Sequence, residues 1–376
     1  MKQFLFNQIK NLKGWKTQRK LLAFAVDDYG NLRLHSKNAR ENLINSQVRL
    51  SGRFDEFDAL DSKQDYDALF GVLSSVKDIK GKSAVFTPYA LPCNIDFEKS
   101  KEQSAFFPEN LNKTYERMAA HFPNEYEGAF DIMHEGIQAG LIKPQFHGRE
   151  HLNVYILNKL FESNHPALTA NIANFSMAGQ ISIPEMPDAS FTQAFAFDKA
   201  EHTIYHDEIL KDGLRRFKEV YGYESITFTP PSQTIAVEKY PYLEQLGLQG
   251  IHKGLKLKRR TLEGADFYER AKLGVEKNQN HVSLLRNVAF EPTDNRGFNW
   301  VDFSFKQIEA SFFWKKPAII SSHRVNFCGH ISENNRKKGL QELQLLLNKV
   351  VKNFPDVEFV ALDTLTKIIL DEHPHL

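Results

Sequence analysis

Two neighbouring carboxylates, Asp27 and Asp28, close an apolar run in the stretch LAFAVDDYGN, residues 22 to 31. If that run is a buried strand, like charges at its end cost free energy, because a desolvated carboxylate must be paired, protonated or bound to a metal. A second stretch, QFHGREHLNV, carries His147 and His151 separated by three residues. Neutral imidazoles are good ligands for a borderline divalent cation, and a tight turn at Gly148 lets two of them converge on one ion. Alone, the pair could equally be two hydrogen-bonded histidines at a strand end. Taken with an aspartate it forms an N/N/O ligand set that leaves positions open for water and substrate, the arrangement a hydrolytic zinc ion needs. The cation would compensate one aspartate and leave the other beside it as a base. In AIISSHRVNF, His323 ends a late apolar run and is a candidate second acid/base group. The spacing recurs at His202 and His206 in EHTIYHDEI, but these follow the charged DKAE and read as the exposed start of a helix.

Groups that act together must be held by a common frame, and the chain shows one. Short β-type runs recur at KLLAFAV, KSAVFTPYA, IKPQFHG, SITFTPP, GLQGIH, HVSLLRNVAF, KPAIISSH and VEFVALD, most of them followed by a helical pattern. About eight strands alternating with helices indicate parallel βαβ units, hence a barrel or a doubly wound sheet. Several runs end in polar or ionisable groups: Asp27 and Asp28, His147, Thr229, His323. A parallel β/α barrel builds its active site at the C-terminal ends of its strands, so this recurrence favours a barrel enzyme. With no low-complexity linker and no internal repeat, residues 1–376 are expected to be a single domain with insertions at about 91–125, 163–200 and 254–280.

The composition excludes other classes. In 376 residues, 41% hydrophobic content is enough for a sizeable core, and 48 basic against 47 acidic residues give no general nucleic-acid-binding charge. Two distant cysteines, Cys93 and Cys328, suit a reducing compartment better than a disulfide-stapled one. Residues 1–20 place Phe4, Leu5, Ile9 and Leu12 among lysines without the continuous apolar stretch of a signal peptide. They are expected to form an uncleaved amphipathic extension packed on the outside of the domain, with weak peripheral membrane contact as the other use of such a segment. No run reaches the ~18 apolar residues of a membrane span, so the expectation is a cytoplasmic protein.

These stretches resemble the motifs of the NodB-like polysaccharide deacetylase superfamily, metal-dependent carbohydrate esterases with an irregular (β/α) barrel of about seven parallel strands. AVDDYG is similar to that family's first motif, and its aromatic before the glycine is closer to the DDFG of the YdjC-like deacetylases. The resemblance makes Asp27 the catalytic base and Asp28 a metal ligand. HGREH resembles the second motif, making His147 and His151 the other ligands, and SSHRVNF the late motif, making His323 the general acid. It implies a divalent cation, zinc first among the candidates, and an acetylated saccharide as substrate. One departure is chemical: the third motif normally supplies an arginine that holds the base, whereas SITFTPPSQ has Thr229 before Pro230 and Pro231. Arg286 or Arg324 would have to replace it from another strand. Trp300 and Asp302 in FNWVDF resemble the fourth motif, with Trp300 beside His323. Two rival readings are a glycoside hydrolase of related fold and an inactive barrel that binds a saccharide or a biosynthetic partner; the sequence names neither the sugar nor the oligomeric state.

Overall fold

The computed structural model describes residues 7–276 and 279–372. At its centre lies β1 (Lys20–Tyr29), buried at every position after the first. A strand covered on both faces needs apolar residues throughout, which is why KLLAFAV reads as a continuous run and not as an alternation. On one side β1 pairs with β2 (Phe86–Ala90), followed outward by β3 (Gln145–Phe146), β4 (Thr227–Phe228), β5 (Gly250–His252) and β6 (Val282–Leu284). On the other side it pairs with β8 (Ala318–His323), which carries β7 (Val288–Ala289) at its outer edge. β9 (Val357–Phe359) pairs with the first residues of β1. All of these pairings are parallel; a short strand, Gly274–Val275, adds antiparallel to β6.

The result is the irregular parallel (β/α) barrel that the strand and helix pattern leads one to expect, with a seam between β6 and β7, whose strands are not bonded to each other. The expected sixth run, HVSLLRNVAF, is two strands and not one. It leaves the β5 edge at Leu284, crosses the seam, and joins β8 at Val288. After the crossing Asn287 fastens the chain to β8, its side chain accepting from Ile319 N–H at 2.8 Å and donating to the Pro317 carbonyl at 2.9 Å. Hydrophobic periodicity cannot register such a change of partner, because both halves of the run are buried.

Helices fill the connections, among them Lys37–Asn45, Leu111–His121, Ala129–Gln138, Val154–Glu162 and His206–Tyr221 on the way to β4, then Trp300–Phe313 and Glu333–Asn353 around β8. Two corrections concern surfaces. His202 and His206 are 1% and 2% exposed, so this is not the exposed helix start the charged flank suggests; their rings pack against Tyr155 and Phe195. In the N-terminal extension Phe4 and Leu5 lie outside the described residues, while Ile9 and Leu12 face solvent at 58% and 43%. The segment docks through Trp15, buried in an apolar cluster with Leu273 and Val282, and through polar groups: Trp314 Nε1 donates to Gln8 at 2.6 Å, and Lys316 donates to the Trp15 carbonyl at 2.6 Å. Among the described residues no helix is long and apolar enough to cross a membrane.

Two of the stretches read as insertions reach the mouth of the barrel. In 91–125 a hairpin of Cys93–Ile95 and Pro108–Asn110 presents Asn94, whose side chain accepts from Leu32 N–H and donates to the Gly30 carbonyl just after the aspartate pair. Residues 163–200 bring Gln180, Thr192 and Gln193 to the mouth, and 254–280 contain the hairpin Leu257–Arg260 with Asp266–Glu269.

Candidate active site

In a regular strand Asp27 and Asp28 would point to opposite faces. Here the pairing of β1 with β2 shifts register between Val26 and Tyr29, and Asp28 adopts φ +76°. Aspartate tolerates this left-handed conformation better than most residues, since its short side chain bonds locally. The bulge turns both carboxylates into one cavity of about 360 Å³ at the C-terminal ends of the strands, which His147, His151, Pro230 and His323 also line.

At the cavity floor Asp28 Oδ1 lies 3.4 Å from His147 Nε2 and 3.1 Å from His151 Nε2. The far nitrogens are anchored: His147 Nδ1 meets the Thr229 carbonyl at 2.6 Å, and His151 Nδ1 meets the Thr192 carbonyl at 2.7 Å. A carbonyl can only accept, so each Nδ1 carries the hydrogen and each Nε2 presents a lone pair. Three acceptor atoms, two imidazole nitrogens and a carboxylate oxygen, therefore converge within 4.8 Å. The buried His147 Nε2 has no hydrogen-bond partner. Acceptors repel one another unless a cation sits among them, and backbone carbonyls that fix the tautomer are the usual support of metal-bound histidines. The donor set fits a divalent cation of the zinc kind. Gly148, between the histidines, has φ +118° and supplies the turn that brings them together.

Beside this cluster Asp27 is gripped in a fork by Arg286, with Nη1 to Oδ2 at 2.5 Å and Nη2 to Oδ1 at 2.6 Å. The same guanidinium donates to Thr229 Oγ1 at 2.9 Å. Thr229 therefore does not leave Asp27 unsupported; it orients an arginine that arrives from the seam crossing between β6 and β7. Arg324 is elsewhere. Side chains of successive residues in extended chain point to opposite faces, so next to His323 it turns away from the cavity and is buried between Asp58 and Asp61, donating to Asp58 at 2.7 Å and to the Asn31 carbonyl at 2.6 Å.

His323 lies opposite, its Nε2 3.9 Å from Asp27 Oδ2. Its Nδ1 donates to Glu291 at 2.7 Å, and Glu291 is held in turn by Arg53 and by Asn326 Nδ2 at 2.7 Å. Burial alone would push the imidazolium to release its proton, but Glu291, with Asp28 and Asp27 behind it, raises the His323 pKa to about 9. Burial likewise disfavours the Glu291 carboxylate, and His323, Arg53 and Asn326 outweigh it, holding that group at about 2. Phe54 packs edge-on to His323 with ring centroids 5.2 Å apart and lines the cavity.

Trp300 and Asp302 do not reach His323. Trp300 is buried at the start of its helix, with Nε1 on the Asp294 carbonyl at 3.3 Å, and Asp302 is exposed and paired with Lys349. The partner that the fourth motif suggests is Glu291 instead. Its one sequence signal, an ionisable group just past an apolar run in NVAFEP, is masked by the proline that follows it.

No protein-family model and no curated protein matches the chain. Among solved structures the chain is similar to Puue allantoinase, at 11% identity and a TM-score of 0.49 over 96% of this chain and 94% of that one. A protein from Pseudomonas aeruginosa PAO1, titled a probable polysaccharide deacetylase, matches at 11% identity and TM-score 0.47 with the same coverage. The 4-alpha-glucanotransferase from Thermococcus litoralis matches at 10% and 0.44, over 91% of this chain and 39% of that one.

Proposed function

We propose that the chain is a metal-dependent hydrolase that removes N- or O-acetyl groups from a saccharide or polysaccharide precursor. One observation carries this reading: the convergence of Asp28, His147 and His151 acceptor atoms with both Nδ1 hydrogens already committed to backbone carbonyls. These three residues would hold the divalent cation, zinc first among the candidates. When bound, such an ion polarises an acyl carbonyl and lowers the pKa of water.

The chain's own groups do the rest. Asp27 takes the proton of the attacking water, and Arg286 keeps its carboxylate aimed. As the acyl carbon–nitrogen (or carbon–oxygen) bond breaks, His323 gives its Nε2 proton to the leaving atom, so acetate and a free amine or hydroxyl result. Glu291 fixes the His323 ring by its Nδ1 hydrogen and favours the protonated form before the step. Phe54 closes the cavity wall beside His323, its ring faced by the Arg33 and Arg53 guanidiniums.

The inactive-barrel reading rests on the missing arginine before Pro230, and the Arg286 fork on Asp27 removes that ground. The experiment is product analysis on N- and O-acetylated saccharides: acetate released in step with new amine or hydroxyl groups supports the reading. New reducing ends without acetate would replace it with glycoside hydrolysis.

A further inference from the structure

Outside the catalytic cavity, a groove of about 610 Å³ runs between the N-terminal segment and the stretch that holds the hairpin Leu257–Arg260 with Asp266–Glu269. Ile9, Leu12 and Lys13 line one side of it; Leu255, Lys256, Arg270 and Lys272 line the other. Ile9 and Leu12 face solvent, and Leu255 is 38% exposed. The Lys256 ammonium reaches over the ring of Tyr268, 4.3 Å from its centroid, and that side chain is 62% exposed. Of the ten large hydrophobic side chains exposed among the described residues, four therefore gather at this one place. Single exposed apolar residues are ordinary, but a group of them marks a contact surface.

The charge of the groove is unspent too. Lys13, Lys256, Arg270 and Lys272 are all exposed, and none of them forms an ion pair with a carboxylate among the described residues. Their neighbours on the same hairpin differ, since Lys258 and Arg260 are both paired with Asp266. One carboxylate lines the groove, that of Glu276, and it accepts the Lys272 backbone N–H at 3.1 Å. Unpaired cations around aliphatic side chains call for a partner that is anionic at its surface and apolar just beneath it. Protein interfaces are depleted in lysine, and single-stranded nucleic acid is held by stacking on aromatic rings, none of which lines this groove among the described residues. A bilayer with anionic headgroups has both layers in the required order.

We propose that this face docks the chain on an anionic phospholipid surface, with Ile9, Leu12 and Leu255 entering the headgroup layer and Lys13, Lys256, Arg270 and Lys272 on the lipid phosphates. The membrane contact expected of the N-terminal segment alone thus becomes a two-sided face, half of it supplied by the stretch 254–280. It neighbours the catalytic cavity through a smaller cavity at the seam, which shares Leu255 with the groove and Gln233 with the catalytic cavity. The docking stands apart from the hydrolase reading, and the absence of acetate release would leave it in place.

The test is co-sedimentation of the full chain with vesicles of phosphatidylcholine alone and of phosphatidylcholine mixed equally with phosphatidylglycerol. Binding to the mixed vesicles and not to the neutral ones is expected, weakening as salt is raised because exposed charges are screened. A basic residue near such a surface strengthens binding about fivefold, so Lys256→Glu combined with Lys272→Glu should weaken it about tenfold or more. Ile9→Ser combined with Leu12→Ser keeps every charge and should weaken it about fivefold or more. All four positions are exposed, so these variants leave the core intact. Lys113→Glu, on the helix between β2 and β3, should bind as the wild type does. No binding to the mixed vesicles, equal binding to the neutral ones, or the same loss in Lys113→Glu would overturn the proposal. So would binding that survives the lysine pair, or a loss in the lysine pair with none in the Ile9 and Leu12 pair, which would assign the face to a soluble polyanion.

Discussion

At His323 the electrostatics can be read as a rate profile. The ring must carry its proton to act as an acid, and Glu291 is the chief reason its pKa stands near 9. As pH rises through the ring's pKa, which a cation held by Asp28 would set below that value, the proton is lost and kcat/KM should fall. In Glu291→Gln the raising charge is gone, so the falling limb should move to lower pH by about a unit or more, while a structural role alone would lower the rate without moving the limb. Loss of a positioned acid typically costs 10²–10⁴-fold, and kcat in this variant should drop by about tenfold or more even at the optimum. Arg286→Leu makes a separate case. Asp27 would lose both short bonds, and kcat should fall by about 10²-fold with metal content unchanged, measured by parallel activity and elemental assays. These roles differ in how far the sequence discloses them. Asp27, Asp28, His147, His151 and His323 announce themselves because charged or ligating side chains interrupt apolar runs. Arg286 could be named only as one of two candidates, since which of two arginines crosses the barrel is a fact of tertiary placement. Glu291 is masked by the Pro after it, which makes FEP look like loop.

At the scale of elements, the site depends on places where regular structure stops. The β1 bulge sets both aspartates on one side, and Gly30, two residues beyond Asp28, has φ +78° with the Leu91 carbonyl only 2.5 Å from where a Cβ would sit. Gly30→Ala must therefore shift backbone as well as strain it. We expect a loss of about 2 kcal/mol or more, seen as a lower thermal midpoint, with weaker metal retention because the adjoining Asp28 moves. The parallel strands were legible as buried β-branched and aromatic runs, and helices such as His206–Tyr221 as amphipathic segments ending at Gly222. The division of HVSLLRNVAF was not legible, because the apolar pattern records burial and not which neighbour a strand bonds.

Across the whole molecule, the barrel is left open at one seam and its edges are tied by side chains, while histidines are buried far from the mouth. His206 is held neutral by burial, with Lys239 adding to the effect, so its pKa falls to about 3 against about 6.5 in an unfolded chain. The unfolded state therefore takes up the proton first as pH falls. Stability from this group is whole above about 6.5 and is lost between 6.5 and 3, by about 2 kcal/mol at pH 5. Urea unfolding at pH 7 and pH 5 should show this, and His206→Phe, which keeps an aromatic against Phe195, should lose less over the same interval. An equal loss in both proteins would assign the acid sensitivity to other groups.

The central claim is that Asp28, His147 and His151 share one divalent cation. Elemental analysis of the purified chain after dialysis tests it most directly, beside Asp28→Asn, which tolerates the left-handed backbone, and His151→Ala, each checked for fold by circular dichroism. The account predicts close to one zinc or similar ion per wild-type chain and little or none in either folded variant. A metal-free wild-type chain after incubation with excess zinc, or variants that retain the full complement, would contradict it.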